Sequence, residues 1–406
     1  MNRREFLARS GILSLAVSLA RYDDAPGASA EAGSRTAPES SELTLFLAGD
    51  VMTGRGIDQV LPHSVDPVLY EPYVKSAEIY VELAERAHGP IPAEVPYDYI
   101  WGDALAELER VAPDARIINL ETAVTTNDDP WAGKGIHYRM HPENVPVLTA
   151  ADIDVCVLAN NHTLDWAYAG LSQTVEALRK AKLATVGAGE DVDAAAEPAK
   201  LETGGGRLLI FAYGSTTAGV PPEWAPGAGK PGVNLLPGLG SAGARRVLER
   251  VRMHRREDDR VLVSIHWGPN WGHKVPASQR AFAHELIDSG LVDLVYGHSS
   301  HHPKAIEVYR DRPILYGCGD FLNDYEGIAG HERFRGHLTL MYFPTFAPAG
   351  ELVGLEMTPM RIRRFRLQRA SDDEARWLAD TMDKESRRLG AGVERLDSGR
   401  LALRWG

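Results

Sequence analysis

The sequence has few cysteines, only Cys156 and Cys318 among 406 residues. Both lie in apolar runs, VCVL and LYGC, which is typical of buried free thiols. A disulfide framework needs more cysteines than this, and thiolate zinc sites need closely spaced pairs. The sequence therefore excludes a disulfide-rich fold and a cysteine-ligated zinc site.

A surplus of positive charge is lacking as well. Lysine and arginine number 44 against 56 aspartates and glutamates, which gives a formal net charge of −12. Contacts to nucleic-acid phosphates require an excess of basic side chains, so a dedicated nucleic-acid-binding protein is excluded. An anionic substrate is not excluded, because bound metal ions reverse the sign of the charge locally.

No apolar run near the N-terminus is long enough to cross a membrane, which takes about 20 residues. The stretch Gly11–Ala20 follows the pair Arg3-Arg4 and precedes Ala28-Ser29-Ala30. Charged region, short apolar region and small-residue cleavage site together predict a Tat-type signal peptide over residues 1–30. We therefore expect export to the periplasm or the extracellular space. An uncleaved membrane anchor is the alternative.

The rest of the chain predicts a spacer, one large α/β domain and a tail. Residues 31–42 are rich in Ala, Ser, Gly, Glu and Pro, and predict a flexible spacer. In residues 43–360 short apolar runs alternate with amphipathic segments, which indicates an α/β fold. The predicted strands are Leu43–Ala48, Ala115–Asn119, Asp154–Ala159, Arg207–Ala212, Val261–Ile265 and Val292–Tyr296. The predicted helices are Tyr97–Val111, Tyr168–Lys182, Ala242–Arg256 and Gln279–Ser289.

The C-terminal part has a different pattern. Strand-like segments separated by turns, from Pro303 to Phe365, predict an antiparallel half. In the tail, residues 361–406, Ser371 and Glu374 have capping-box spacing and predict a helix that covers a sheet edge.

Side chains able to bind metals come directly after five of the predicted strands. They are Asp50, Asn119, Glu121, Asn160, Asn161, His162, His266 and His298. Ligands of open α/β sheets bind at the carboxyl ends of the strands. A pair of divalent ions needs several oxygen and nitrogen donors from separate elements. The pattern therefore predicts a two-metal site.

Each of these residues also has a structural interpretation when taken alone. Asp50 and Asp165 have the position of helix N-caps, and Glu121 that of a surface acid. A single histidine at a strand end is more often a hydrogen-bonded core residue than a ligand. The segment GHSSHHP, with His298, His301 and His302 within five positions, favours metal binding over an exposed histidine cluster.

Six segments together resemble the CapA family, the capsule synthesis (poly-γ-glutamate biosynthesis) proteins of the calcineurin-like metallophosphoesterase superfamily. They are Gly49–Gly56, Asn119–Thr122, Ala159–Asp165, His266–Gly268, Gly297–Pro303 and Ile314–Phe321. The resemblance covers roughly residues 43 to 330. It implies a four-layer α/β/β/α sandwich with mixed sheets and two divalent metal ions between them, with Mn, Fe and Zn all suited to the ligands.

The resemblance also implies roles for individual residues. Asp50 matches a ligand of the first metal and Glu121 the bridging carboxylate. Asn161 and His266 match ligands of the second metal, and His298 and His301 complete the set. His162 matches the histidine that serves as general acid or transition-state stabiliser, and Asp165 orients its imidazole.

We further predict that Arg55 neutralises charge on the substrate. A purely structural ion pair of Arg55 is equally compatible with the sequence. The predicted substrate-contacting residues are Asn119, Asn160, Trp267 and His302. For Trp267 and its aromatic neighbours, a packed wall beside the metals is equally compatible with the sequence.

The chain departs from the superfamily pattern in three ways. Met52 stands where the superfamily has a histidine ligand, Glu121 replaces the usual Asp, and two residues rather than one separate His298 from His301. A thioether is a poor ligand for hard divalent ions.

Three hypotheses about function remain open. The first is hydrolysis of a phosphoester. The second is a role in the synthesis, export or release of an anionic poly-γ-glutamate-like polymer, with membrane capsule-synthesis subunits as partners. The third is a metal-binding or polymer-binding component without turnover, which the thioether of Met52 makes plausible.

Overall fold

The computed structural model describes residues 42–406. The predicted signal peptide and almost all of the predicted spacer lie outside these residues. Within them, no helix combines the length and the apolar character that crossing a membrane requires.

Strands and helices alternate along most of the described chain. The strands are β1 (Leu43–Val51), β2 (Ala115–Leu120), β3 (Ala123–Val124), β4 (Arg139–Met140), β5 (Val155–Val157), β6 (Ala184–Val186), β7 (Ala188–Gly189), β8 (Ala199–Thr203), β9 (Gly206–Gly214), β10 (Gly232–Val233), β11 (Arg260–His266), β12 (Leu294–His298), β13 (Ile306–Tyr309), β14 (Arg312–Leu315), β15 (Asp320–Leu322), β16 (Leu338–Phe346), β17 (Leu352–Ile362), β18 (Leu367–Arg369), β19 (Gly392–Arg395) and β20 (Leu401–Arg404). The helices are α1 (Arg55–Val60), α2 (Glu78–His88), α3 (Ala104–Val111), α4 (Pro146–Thr149), α5 (Ala167–Lys180), α6 (Val192–Ala196), α7 (Ser241–His254), α8 (Ala277–Asp288) and α9 (Asp372–Arg387).

The first sheet has ten strands, with the main order β19-β20-β17-β16-β1-β2-β5-β6. Its half from β1 to β6 is parallel, because helical crossovers return the chain to the same end of the sheet. The half from β16 to β19 is antiparallel. β15 pairs in parallel with the end of β1, and β18 pairs with β17. The sheet is therefore mixed, with β1 at the junction of its two halves.

The second sheet has six strands in the order β13-β14-β12-β11-β9-β8. Its strands β9, β11, β12 and β14 are parallel, and antiparallel hairpins form both edges. Alternate side chains of a strand point to opposite faces. Leu208, Ile210 and Leu262 join the core between the two sheets. Leu209 and Phe211 join a second core under helices α7 and α8.

The two sheets pack face to face, and helices cover their outer faces. Leu43 and Leu45 of β1 line the same small gap as Leu208 and Leu294 of the second sheet. Helices α7 and α8 pack on the outer face of the second sheet. Helix α5 packs beside β6 of the first sheet. This arrangement confirms the predicted α/β/β/α sandwich with mixed sheets.

The C-terminal tail continues the first sheet. β17 runs past residue 360, and β18 and β20 both pair with it. Helix α9 begins at the predicted capping box of Ser371 and Glu374. It contacts β17 of the first sheet and β13 of the second, and the Ser386 hydroxyl accepts a hydrogen bond from the Ile306 amide. The helix therefore lies across an edge of the sandwich.

The prediction of one antiparallel C-terminal half was wrong. β13 and β14 form an antiparallel hairpin, but it belongs to the second sheet, where β14 is parallel to β12. Only β16 to β20 build the antiparallel half of the first sheet. Spacing between short strands does not reveal which sheet a hairpin joins, because the pairing partner lies far away in the sequence.

Candidate metal centre

Five strand ends bring the predicted ligands together between the sheets. In the first sheet, Asp50 at the end of β1 pairs in register with Asn119 at the end of β2. In the second, His266 at the end of β11 pairs in register with His298 at the end of β12. Because the sheets pack face to face, carboxylates from one sheet meet imidazoles from the other.

His266 and His298 form the imidazole side of the site. Their Nδ1 atoms lie 2.7 Å apart. The hydroxyl of Ser264 lies 2.7 Å from Nε2 of His298, and Oδ1 of Asn161 lies 3.0 Å from Nε2 of His266. Ser264, His266 and His298 all occupy the inward-facing positions of their strands, so strand alternation alone directs them at the first sheet.

Asp50 lies at the centre of the acidic side. Its Oδ1 accepts a hydrogen bond of 2.7 Å from Nδ2 of Asn119, and its Oδ2 accepts one of 3.1 Å from the Ser299 amide. Ser299 has φ of 96°, a conformation rarely adopted by residues other than glycine. The strained turn between His298 and His301 thus directs a backbone N–H at the Asp50 carboxylate.

Among the residues that the structure describes, two groups of side chains have the compactness of a metal site, and both contain Asp50. The first group is Asp50, His301 and Asp320, and the second is Asp50, His266 and His298. Within each group the ligand atoms lie within 4.8 Å of one another. Glu121 approaches the second group, with Oε1 3.7 Å from Nε2 of His266. Asp50 is the carboxylate common to both groups, and a bridging role for Glu121 stays a prediction.

Charge and burial in this region fit divalent cations. Burial and the neighbouring Asp320 raise the pKa of Asp50 to about 8. Burial and the charge of Asp50 hold the pKa of Glu121 well above its usual range. Burial lowers the pKa of His298 to about 3, so that its imidazole is neutral and able to donate a lone pair. Buried carboxylates that repel one another beside neutral imidazoles are the donor set that a divalent metal binds.

His162 lies beside this centre with its ring held from two sides. Its Nδ1 is 2.6 Å from Oδ2 of Asp165, and the Tyr138 ring stacks on it with centroids 3.8 Å apart. Nζ of Lys134 lies 2.5 Å from Oδ1 of Asp165. Burial and the charge of Lys134 lower the pKa of His162 well below its usual value. The Asp165 carboxylate therefore lies against the imidazole and does not cap helix α5. Its role in orienting a catalytic His162 stays a prediction.

Arg55 is buried in ion pairs. Its guanidinium contacts Asp324 in two places and donates a 2.9 Å hydrogen bond to Glu71. The Tyr80 ring lies 3.8 Å from its Cζ. The structure therefore shows the ion-pair alternative for Arg55, and its action on a substrate stays a prediction.

The four predicted substrate-contacting residues are all buried. Asn160 donates to Oδ1 of Asn119, and Asn119 in turn donates to Asp50, so the two amides support a metal ligand. Trp267 stacks on Tyr316 and donates to its carbonyl. Nε2 of His302 accepts a hydrogen bond from the Gly272 amide. These contacts are structural, and direct contact of the four with substrate stays a prediction.

Four residues of the site were not predicted from the sequence: Asp320, Lys134, Tyr138 and Ser264. Asp320 begins strand β15 instead of following a predicted strand, so a search for polar side chains directly after strands does not find it. Lys134 and Tyr138 lie in an irregular segment before β4 that has no hydrophobic period. Ser264 was detectable, because it lies two residues before His266 on the same face of the strand.

Comparison with known proteins identifies the family. Residues 44–325 match the family described as "Bacterial capsule synthesis protein PGA_cap". The chain belongs to this family. A relative of this chain, the "Probable polyglutamine synthesis accessory protein" of Mycobacterium tuberculosis, is 48% identical over 354 residues, which cover 86% of this chain and 93% of the relative.

More distant relatives carry the name CapA. The "Capsule biosynthesis protein CapA" of Bacillus anthracis is 27% identical over 70% of this chain and 61% of its own length. The "PGA biosynthesis protein CapA" of Bacillus subtilis is 26% identical over 79% of this chain and 72% of its own. The resemblance to CapA is thereby confirmed.

Among solved structures, the 5'-nucleotidase precursor of Thermus thermophilus is similar to this chain. The match covers 79% of this chain and 54% of the nucleotidase chain at 13% identity, with a TM-score of 0.38. A likeness this distant bears on neither activity nor ligands.

Proposed function

We propose that this chain is an exported, metal-dependent hydrolase of the CapA type that acts on a phosphoester or a related bond. The observation that carries the proposal is the meeting of Asp50, His266, His298 and His301 from two sheets in one buried centre, beside the His162–Asp165 pair.

The residues around this centre divide into two metal groups. His266 and His298, with Asn161 and Glu121 close to His266, would hold one ion, and His301 would contribute to the other. Asp50 belongs to both groups. Two divalent ions supply an activated water nucleophile and positive charge against the charge that develops on the substrate. Mn, Fe and Zn all suit these oxygen and nitrogen ligands.

His162 is the proton-transfer or charge-stabilising group in this proposal. Its Nδ1 is engaged by Asp165, and among residues 42–406 no protein group hydrogen-bonds to its Nε2. A proton that moves between this imidazole and the substrate therefore passes through Nε2. Lys134, ion-paired with the other oxygen of Asp165, keeps that carboxylate in place.

The names of the relatives support a connection with an anionic polymer. Two of them are named for capsule or PGA biosynthesis and one for polyglutamine synthesis. We therefore propose that the substrate is anionic, with γ-glutamyl amides tested beside phosphoesters, and that membrane capsule-synthesis subunits are partners. Metal binding or polymer binding without turnover is the alternative function, because Met52 removes one expected ligand.

Metal content and turnover of site variants test the proposal. The mature protein is purified without chelators, and its metal content is measured by elemental analysis. Turnover is measured as the rate of hydrolysis of phosphoesters and of γ-glutamyl amides. We expect about two metal equivalents in the wild type. His162→Ala should lose about 10²–10⁴-fold in turnover and keep its metal. His298→Ala should lose metal as well.

A histidine outside the site provides the control. His337 has a half-exposed side chain, so His337→Ala should change neither metal content nor turnover. Equal loss of metal in the His162 and His298 variants would show that His162 has been misassigned. Two bound metals without hydrolysis of any tested bond would favour the alternative function.

Export is a separate part of the proposal and rests on the N-terminal sequence. Replacing Arg3 and Arg4 by lysine retains the charge and removes the twin-arginine signal. We expect the wild-type protein outside the cytoplasm and the double-lysine variant inside it, measured by cell fractionation. Equal export of both proteins would refute the Tat route.

A further inference from the structure

Strand β15 brings a third buried carboxylate to the metal centre. Asp320, its first residue, pairs in register with Asp50 on β1, and parallel strands lie about 4.8 Å apart. The approach depends on Gly49, because a Cβ atom there would lie 1.6 Å from the carbonyl oxygen of Gly319. The Asp50 amide donates to that same carbonyl at 2.9 Å.

Both oxygens of Asp320 are directed by short contacts. Oδ1 lies 2.8 Å from Nδ1 of His301, and Oδ2 accepts a 2.8 Å hydrogen bond from Nδ2 of Asn323. The residue is only 3% exposed. The two nearby cations are engaged elsewhere, since Arg55 pairs with Asp324 and Lys134 with Asp165. Asp320, Asp50 and His301 therefore form a compact donor set with which neither Arg55 nor Lys134 is paired.

Met52 lies close to this set. It is two residues beyond Asp50, and its amide donates to the carbonyl of Leu322 on β15. The side chain is 1% exposed, yet it belongs to none of the hydrophobic clusters of the described chain. A thioether contributes little to the binding of a hard divalent ion.

We propose that Asp320 is a ligand of the first metal ion and supplies the bond that Met52 cannot. The inference rests on the metal centre of the proposed function. The first ion would then have two carboxylates and one imidazole, from Asp50, Asp320 and His301, whereas the second has mainly imidazole and amide donors. A site richer in carboxylate suits Mn²⁺ better than an imidazole-rich one does.

A different role for Asp320 would produce some of the same contacts. Carboxylates often accept a hydrogen bond from a metal-binding histidine and orient it without touching the ion. The 2.8 Å contact to His301 agrees with both roles. The roles differ in one respect: a new ligand at position 52 replaces a lost ligand, but it does not reorient His301.

Mn²⁺ titration of chelator-treated mature protein separates the two roles. Bound Mn²⁺ is counted by equilibrium dialysis and observed by electron paramagnetic resonance, in wild type, Asp320→Asn and Asp320→Asn with Met52→His. We expect about two equivalents in the wild type, one in Asp320→Asn, and two again in the double variant. The spin-coupled signal of a Mn²⁺ pair should disappear and return in parallel. Asp397→Asn, an exposed acid, is the matched control.

Two results would overturn the inference. One is two equivalents in Asp320→Asn with unchanged affinity. The other is a folded double variant that still binds only one, as an orienting role predicts. Circular dichroism checks folding. If neither variant folds, the Asp320→Glu variant is measured instead. Binding of one Mn²⁺ that is at least tenfold weaker would support Asp320 as a metal ligand, and unchanged binding would contradict that role. Wild type that binds two Mn²⁺ but hydrolyses nothing refutes the proposed function and leaves this inference standing.

Discussion

His162 and Asp165 are joined by a contact of 2.6 Å between Nδ1 of the imidazole and Oδ2 of the carboxylate. The same oxygen accepts a 2.6 Å hydrogen bond from the Tyr138 amide, and the other oxygen contacts Nζ of Lys134. The Tyr138 amide and the Lys134 ammonium group are both donors, and Nζ of Lys134 also lies 3.2 Å from Nδ1 of His162. In the neutral tautomer with its proton on Nδ1, the imidazole donates to the Asp165 carboxylate and its Nε2 is directed away from it.

Asp165→Asn should lower turnover about 10²–10⁴-fold and leave the metal content unchanged. The amide replaces one acceptor oxygen with an NH₂ group, which then faces Nδ1 of His162 or Nζ of Lys134. Hydrolysis rates and elemental analysis measure the two effects. Asp152→Asn, at an exposed carboxylate that pairs with Arg116, should retain wild-type rates. Wild-type turnover in Asp165→Asn would mean that the imidazole needs no orienting carboxylate.

Removal of metal should destabilise the protein. Asp50, Glu121 and Asp320 are buried close to one another, so their mutual repulsion is relieved by a bound cation. Binding to the native state alone adds about 2.7 kcal/mol to the free energy of unfolding when free metal is 100 times its dissociation constant. Urea unfolding with Mn²⁺ and with chelator measures this difference. The difference should shrink in Asp50→Asn, and an equal difference in both proteins would place the stabilising ion elsewhere.

Arg55→Met should reduce the free energy of unfolding by about 3–5 kcal/mol, because it leaves Glu71 and Asp324 buried without their cation. Denaturant unfolding of metal-free protein provides the measurement. The control is Arg376→Met, which removes an exposed ion pair with Asp373 and should cost less than about 1 kcal/mol. A stable Arg55→Met protein with reduced turnover would instead support the action of Arg55 on the substrate.

Gly49→Ala should separate β15 from β1 and weaken metal binding. The added Cβ meets the backbone carbonyl of Gly319 at 1.6 Å, and backbone atoms cannot rotate away as a side chain does. Loss of stability should therefore accompany loss of Mn²⁺, and unfolding curves together with equilibrium dialysis detect both. Gly354→Ala on β17 has open space at its Cβ position and should change neither. Normal Mn²⁺ binding by Gly49→Ala would show that the close approach of β15 is not needed.

Much of the fold follows from local patterns in the sequence. The six strands and four helices predicted for the α/β domain all occur, with ends displaced by a few residues; the helix predicted from Tyr97 begins at Ala104. Periodicity reports burial on one face over a few turns or pleats, so it locates elements well and their ends less well. The antiparallel half was assigned incorrectly because the pairing partner of β14 lies in a distant part of the chain.

The residues of the site likewise include some that the sequence predicts and some that it does not. Asp50, His266 and His298 were predictable because each comes at the end of an apolar strand. Asp320 was not, because it begins the short strand β15 and only the pairing with β1 places it beside Asp50. The ion pairs of Arg55 likewise depend on Asp324, 269 residues away in the sequence.

The sequence by itself determined which residue types stand at the strand ends, and strand alternation determined the face on which each side chain lies. Only the tertiary structure decided which of these side chains share a metal group. Asp50 belongs to both groups because β1 lies beside β15 in one sheet and faces β11 and β12 of the other. The physical reason is the sequence separation over which each effect acts. Alternation of side chains along a strand depends on neighbouring residues. The packing of two sheets depends on the burial of apolar surface from residues hundreds of positions apart.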